Sequence, residues 1–343
     1  MAQFARDSHA VPRDYLRQWS SDGKTVDAYR LLVPAERYPM WERRSIRSLA
    51  RYRDLYTSVR DGVESDEVER WLSAEIEAPA ADALDKVARD APLTSGELRS
   101  MVRYLAALDR RTPAAYFESM ARWDEHMPAL LGQVTKSTAR KLERLARRGV
   151  VPSAPAPPPR RSTLPVRVRF ESKPDGDGGL MHVGLTLGRE LWLHELRATL
   201  EEDVSVLHQH QWVILHAPPS VEWFTSDHPV VRLNYHTEER YDFRGGWGSK
   251  GTDIFLPLTP RHLLHTQVGK RDLRDGVARL EVATQLQRIT AEHAHEWVIA
   301  HRPIQRATWL RRRVVDRARF VHQEAEWQAW HAAQAAAEQP DNG

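Results

Sequence analysis

Several short stretches of this chain carry residue types that could do chemistry. In "FTSDHPVV" (224–231), Asp227 follows Thr225 and Ser226 and stands one residue before His228 and two before Pro229. An aspartate beside a proline can fold its carboxylate onto turn N–H groups. It can also stand in a pocket as a base, a ligand or a partner for arginine. Ser226 is a poor nucleophile, because no G-x-S-x-G elbow surrounds it. "DRRTP" (109–113) brings Arg110 and Arg111 to the end of a helical pattern. Two cations suit a helix C-terminus. The planar fork of Arg111 could also hold an inward carboxylate or a phosphate.

Histidine pairs invite a metal reading. His208 and His210 in "HQH" would share a face on a strand, but a zinc site needs at least three protein ligands and no third is obvious nearby. His293 and His295 lie in a helical pattern, where i and i+2 diverge. The glycine-rich "RGGWGSKG" (244–251) is not a phosphate loop. Lys250 is followed by Gly251 and then by a strand pattern, so a hairpin loop is expected. The start, "SHAVPRDYLRQW" (8–19), crowds His9, Arg13 and two aromatics together. Val11, Tyr15, Leu16 and Trp19 are its expected anchors, which leaves His9 and Arg13 to explain.

Composition narrows the field. The chain has 343 residues with 41% hydrophobic and 28% charged, enough for a substantial core and for two lobes. Cysteine is absent, which excludes disulfides, thiolate metal sites and cysteine nucleophiles and fits a reducing cytoplasm. There is no apolar run long enough to span a bilayer and no apolar signal core at the start, so no membrane partner is expected. The formal charge of +3 is too small for a blanket nucleic-acid binder. Local basic runs at 139–148 and 309–319 read as solvated helix faces or as parts of a basic surface.

The elements that must position these residues read as an α+β protein. Residues 1–149 form an N-terminal helical lobe with a docked N-terminal segment. Prolines at 152, 155, 157, 158, 159 and 165 make 150–165 a linker or loop. Residues 166–325 form a mixed lobe with a mainly antiparallel sheet and flanking helices, and 326–343 a flexible tail. Thr94 and Glu97 have capping-box spacing, and Leu98, Met101, Val102, Leu105 and Leu108 continue as one apolar stripe. Separate helices are expected at 114–123 and 138–148. Val68, Trp71, Leu72 and Ile76 form another stripe, with a kink or break at Pro79. Glu75 and Glu77 fall partly on inward faces of that pattern. Glu77 paired with Arg111 would be a buried ion pair with a structural role. In the second half, strands are expected near 166–170, 211–217, 222–227, 229–235, 252–260 and 262–268, with helices at 188–207 and 279–299.

Taken in order, "HAVPRDYLRQWSSDGKTVDAYR", "DLYTS" (54–58), "IEAPAADALDKV" (76–87), "RTP" (111–113), "WFTSDHPVV" (223–231) and "IFLPLTPRHLL" (254–264) resemble the bacterial domain-of-unknown-function 4238 family. The resemblance covers roughly residues 8 to 300. His228 stands where the family usually has asparagine, and Thr259 where it often has serine. The resemblance implies that His9, Arg13, Glu77, Arg111 and Asp227 occupy the family's polar positions. It also implies a setting in phage defence for some members, with no settled reaction.

The expectation that follows is an effector with hydrolase-like or nuclease-like activity. His9, Glu77 and Asp227 would converge as catalytic residues in a cleft, and Arg13, Arg111 and His228 would bind the substrate. A histidine with two carboxylates suits divalent-metal hydrolysis, with Mg²⁺ or Mn²⁺ as the ion. Nucleic acid or a nucleotide is the expected anionic partner. The rival expectation is a binding or sensor module whose polar residues form a ligand pocket or a structural network.

Overall fold

The computed structural model describes residues 7–60, 63–148, 166–172, 179–185 and 187–337. The fold is α+β, with mainly antiparallel sheets and flanking helices. The proline-rich stretch 150–165 and the last six residues lie outside the described residues.

The capping box forms as expected. Glu97 N–H donates to Thr94 Oγ1 at 3.2 Å, and Thr94 N–H donates to Glu97 Oε2 at 2.8 Å. The helix Ser95–Arg110 that follows buries Met101, Val102, Leu105 and Leu108. Pro79 leaves its predicted mark. The helix Glu67–Leu72 passes through a π turn, Ser73–Glu77, into the helix Ala78–Ala88. Proline has no N–H and its ring crowds the carbonyl four residues back, so widening the turn before it relieves the clash without breaking the helix.

Downstream the expected break is absent. One helix runs from Pro113 to Arg147, with Pro128 inside it, where two were expected. A single interior proline removes one donor, and the flanking leucines, lysines and arginines are good helix formers. The C-terminal segment also differs. The helix Arg317–Ala337 continues through the region expected to be a tail. Trp327 and Trp330 stack 4.4 Å apart on it and pack, half-buried, against Tyr52 and Tyr116, which anchors this helix to the core.

Residues 7–65 hold short strands that the pattern did not reveal. Thr25–Arg30 pairs antiparallel with both Glu42–Ser45 and Trp297–Ala300, and Thr225–Ser226 completes this four-stranded sheet. Two of its strands precede the proline-rich stretch and two follow it. A second, six-stranded sheet carries Arg240–Asp242, Val231–Thr237, Asp253–Pro257, His262–Gln267, Val213–His216 and Gly276–Val277 in that order, antiparallel except at the last pair. One hydrophobic cluster joins Trp19 and Leu105 to Leu256 and Ile299, so the core runs across the proline-rich stretch.

The N-terminal segment is a bolt through that core. Val11, Tyr15, Leu16 and Trp19 are fully buried. Tyr15 O–H donates to Pro257 O at 2.5 Å and accepts from Thr225 Oγ1 at 2.6 Å, tying both sheets to the short helix Arg13–Arg17. Among the described residues no helix is long and apolar enough to cross a membrane.

Candidate functional site

Four of the six sequence-predicted site residues meet in one network. Arg111 is 1% exposed and spreads three nitrogens over three segments of chain. Its Nη1 donates to Glu77 Oε1 at 2.5 Å, its Nη2 to His9 O at 3.0 Å and its Nε to Tyr56 Oη at 3.1 Å. Tyr56 O–H in turn donates to Arg111 O at 2.7 Å. Burial works against the Arg111 charge, but Tyr56, Glu77 and Glu69 outweigh it and hold its pKa well above the usual value. The neighbouring Glu69 is pushed up to about 7, by burial first and Glu77 as a lesser cause, with Arg111 opposing. His9 Nε2 lies 3.3 Å from the donor Arg13 Nε and 3.2 Å from the acceptor Arg47 O, so either ring tautomer finds one partner. Burial, then the charge on Arg13, lowers the His9 pKa.

Asp227 and His228 sit elsewhere. The Asp227 carboxylate accepts His295 N–H on Oδ1 at 3.0 Å and Glu296 N–H on Oδ2 at 2.8 Å. Its own N–H donates to Trp297 O at 3.2 Å. The carboxylate thus clamps the turn between the helix Leu280–His293 and the strand Trp297–Ala300. Burial raises its pKa, with His295 and the backbone donors opposing. Among the described residues no hydrogen bond or ion pair joins Asp227 or His228 to His9 or Glu77.

His228 instead lines a cleft of about 1020 Å³. Its walls include Phe117, Phe243, Trp327 and Trp330, three arginines (311, 312 and 319) and four glutamates (118, 292, 296 and 326). Arg311 Nη1 donates to Glu292 O at 3.2 Å. Arg312 and Arg319 have no carboxylate partner among the described residues. The basic run 309–319 therefore contributes cations to this cleft.

Within the cleft, Glu118, His228 and His293 come together, one ligand atom from each lying within 4.8 Å of the other two. The imidazoles of His228 and His293 stack with centroids 4.1 Å apart. His293 Nδ1 lies 3.1 Å from His228 O. A carbonyl only accepts, so Nδ1 carries the hydrogen and Nε2 keeps a lone pair. Burial pushes the His293 pKa down to about 4, and the pKa of His228 falls well below the usual histidine value for the same reason, aided by His293 and Arg232. Burial raises the Glu118 pKa while Arg232 opposes. His228 Nε2 is buried with no hydrogen-bond partner.

The glycine-rich loop supports this trio from behind. A Cβ on Gly245 would lie 2.4 Å from Thr252 Cγ2 and 3.0 Å from the Arg232 backbone, so only glycine fits. That close approach lets Arg232 Nη1 donate to Gly245 O at 2.9 Å. The same guanidinium holds Asp109 Oδ1 at 3.0 Å and reaches Glu118 Oε2 at 3.4 Å. Trp247 Nε1 donates to the other Asp109 oxygen at 2.9 Å.

A second histidine–carboxylate group, Asp90 with His216 and His262, has comparable spacing. Its hydrogens are arranged differently. Thr259 Oγ1 already accepts the N–H groups of Arg261 and His262, each at 3.1 Å. Its own O–H must therefore donate to His262 Nδ1 at 2.8 Å. That puts the ring hydrogen of neutral His262 on Nε2, where it donates to Asp90 Oδ1 at 2.8 Å. The lone pair a metal would use on Nε2 is gone. Asp90 has φ +55° just past the helix Ala78–Ala88, so this group pins a helix end to the six-stranded sheet.

Fold and cleft together define an α+β protein with an aromatic-walled, mixed-charge cleft built around two neutral imidazoles. The chain belongs to the family described as proteins of unknown function, DUF4238, which it matches over residues 8–303. No curated protein and no solved structure matches it.

Sequence reasoning passed over Glu118 and discounted His293 because His293 and His295 diverge on a helix. They do diverge. The partner of His293 is His228, 65 residues away, and no local spacing encodes that pairing.

Proposed function

We propose that the cleft is the active site of a hydrolase acting on an anionic substrate that carries a flat ring, such as a nucleotide or a nucleic-acid end. The observation that carries this reading is the His293 imidazole. Its Nδ1–H is committed to His228 O, so its Nε2 can take a proton from water as a general base. Arg312 and Arg319, with no carboxylate partner among the described residues, would hold the anionic group. Trp327, Trp330, Phe117 and Phe243 offer faces on which a base can stack. Glu118, half-exposed and held by Arg232, would orient the water or the leaving group.

In this reading Arg111, Glu77, His9 and Arg13 fix the N-terminal segment, and Asp227 fixes the turn that follows His293. The protein would work in the cytoplasm, in the phage-defence setting that the family resemblance implies.

The test is a hydrolysis screen over nucleotides and short DNA and RNA, with and without Mg²⁺ and Mn²⁺, comparing the full chain with His293→Gln. Turnover that is lost in a folded variant supports the hydrolase. Nucleotide binding without turnover in the wild type would favour a sensor module using the same cleft. Neither turnover nor binding would rule out both.

A further inference from the structure

We infer that Glu118, His228 and His293 form a three-ligand site for one nitrogen-preferring divalent cation of the zinc class, with its remaining position open to the cleft. With this ion bound, His293 Nε2 would be a ligand and no longer the general base, and a water at the open position would supply the nucleophile instead.

Four observations converge. First, the three side chains present one ligand atom each within a span of 4.8 Å. Tetrahedral coordination with metal–nitrogen bonds of about 2.0–2.1 Å needs ligand atoms about 3.4 Å apart. The Glu118 side chain is half exposed and free to turn inward, and the stacked His228 and His293 rings would tilt apart so that both lone pairs meet the ion. Second, the hydrogen bond from His293 Nδ1 to a backbone carbonyl is the arrangement that fixes a ligating imidazole, with Nε2 left to bind. Third, His228 is 3% exposed and its Nε2 has no hydrogen-bond partner. Buried polar atoms are rarely left unmet, and a cation shared with His293 would satisfy this imidazole. Fourth, Arg232 holds Glu118 from behind and is itself held by Asp109, a supporting layer of the kind that ligating carboxylates have.

The donor set selects the ion. Two imidazoles and one carboxylate suit zinc and its first-row neighbours, whereas Mg²⁺ takes oxygen ligands and keeps its waters. Two histidines and a glutamate with one open position also match the ligand count of catalytic zinc sites. The Mg²⁺ or Mn²⁺ expected from the sequence is therefore replaced here by a softer ion. The contrast with Asp90, His216 and His262 is internal to the molecule. There the Nε2 of His262 carries a hydrogen and has a partner, which leaves no lone pair for an ion.

The experiment is metal binding by the full chain without substrate. Chelator-treated protein is titrated with Zn²⁺ by calorimetry, and with Co²⁺ while the visible d–d absorption is recorded. The expected result is one equivalent of either ion and a Co²⁺ band of tetrahedral or five-coordinate intensity. Glu118→Gln and His293→Gln should each weaken binding at least tenfold and lose or alter that band. His216→Gln should change neither. Glu118 is exposed, so Glu118→Gln keeps the fold and the test stands even if His293→Gln fails to fold. Three results would overturn the inference. They are no bound equivalent in the wild type, binding unchanged in Glu118→Gln, or binding lost in His216→Gln. Absence of a bound equivalent in a protein that hydrolyses its substrate leaves the hydrolase standing without the metal site. A metal-loaded protein with no turnover on any substrate does the reverse.

Discussion

The Arg111 network and the His228–His293 cleft are both made of polar groups taken out of water, and they differ in whether the groups are matched. Arg111 finds a carboxylate, a phenol and a carbonyl on three separate segments. Its cost of burial is offset inside the protein, and little is left to bind anything else. In the cleft, His228 Nε2 has no partner and His293 is held by one nitrogen only. The five polar positions that the resemblance implied, His9, Arg13, Glu77, Arg111 and Asp227, all fall in the matched kind. Hydrogen-bond matching separates residues that tie the chain together from those that still have bonds to make.

Four changes break or sharpen this contrast, from the largest effect on stability to the smallest. Arg111→Met should cost about 3–5 kcal/mol, because it leaves Glu77 and Glu69 without their buried cation. Chemical denaturation would show it, and Arg111→Lys should recover little, since an ammonium cannot span the three acceptors. A variant as stable as the wild type would remove the network from any account of the fold.

Asp227→Asn comes next. An amide can accept only one of the two N–H bonds that the carboxylate now takes, and it brings an NH₂ group against the other donor. A loss of about 2 kcal/mol is expected. Weaker Zn²⁺ binding should accompany it, because the turn that Asp227 clamps follows His293 directly. Equal metal affinity in a destabilised protein would uncouple the clamp from the site.

Glu69 gives a pH-dependent test. Its folded pKa of about 7 lies above the ordinary carboxylate value of 4.5. The folded state therefore binds the proton more tightly, and stability falls as pH rises from 4.5 through 7. Glu69→Gln should be more stable than the wild type at pH 8 by about 1–2 kcal/mol, after allowance for partial solvent screening. The advantage should vanish near pH 4. Thermal melts at the two pH values would check the sign, and a gain that persists at pH 4 would refute the assignment. The smallest stability change belongs to Glu118→Gln, within about 0.5 kcal/mol of the wild type, as for an exposed site. A loss above 2 kcal/mol would make Glu118 a structural residue like Arg111.

Much of the scaffold was legible in the sequence because it is local. The Thr94–Glu97 capping box, the stripe from Leu98 to Leu108 and the disturbance at Pro79 each depend on residues a few positions apart. The strands of the second half showed as alternating apolar runs between turns. Glu77 could be placed near Arg111 because helical period gave its face and the guanidinium fork gave its need. The trio in the cleft had no such signature. Glu118 lies one turn inside a helix, His228 in a turn and His293 at a helix end, and only tertiary packing joins them. The short strands of residues 25–45 were hidden for a related reason. Their sequences are polar and brief, and a main partner of Thr25–Arg30 lies at Trp297–Ala300.

That last pairing bears on how the chain is made. Arg30 stands opposite Trp297, so the ribosome must add about 270 residues after the first strand before its neighbour exists, some tens of seconds at ordinary synthesis rates. During that time one edge of Thr25–Arg30 is unpaired, and Val26, Ala28 and Tyr29 lack part of the cover they have in the finished protein. The pairing is also non-local enough to slow closure once the last strand emerges. A chain that stops short of residue 297 therefore keeps a sticky edge for its whole lifetime, and only a full-length product can close it.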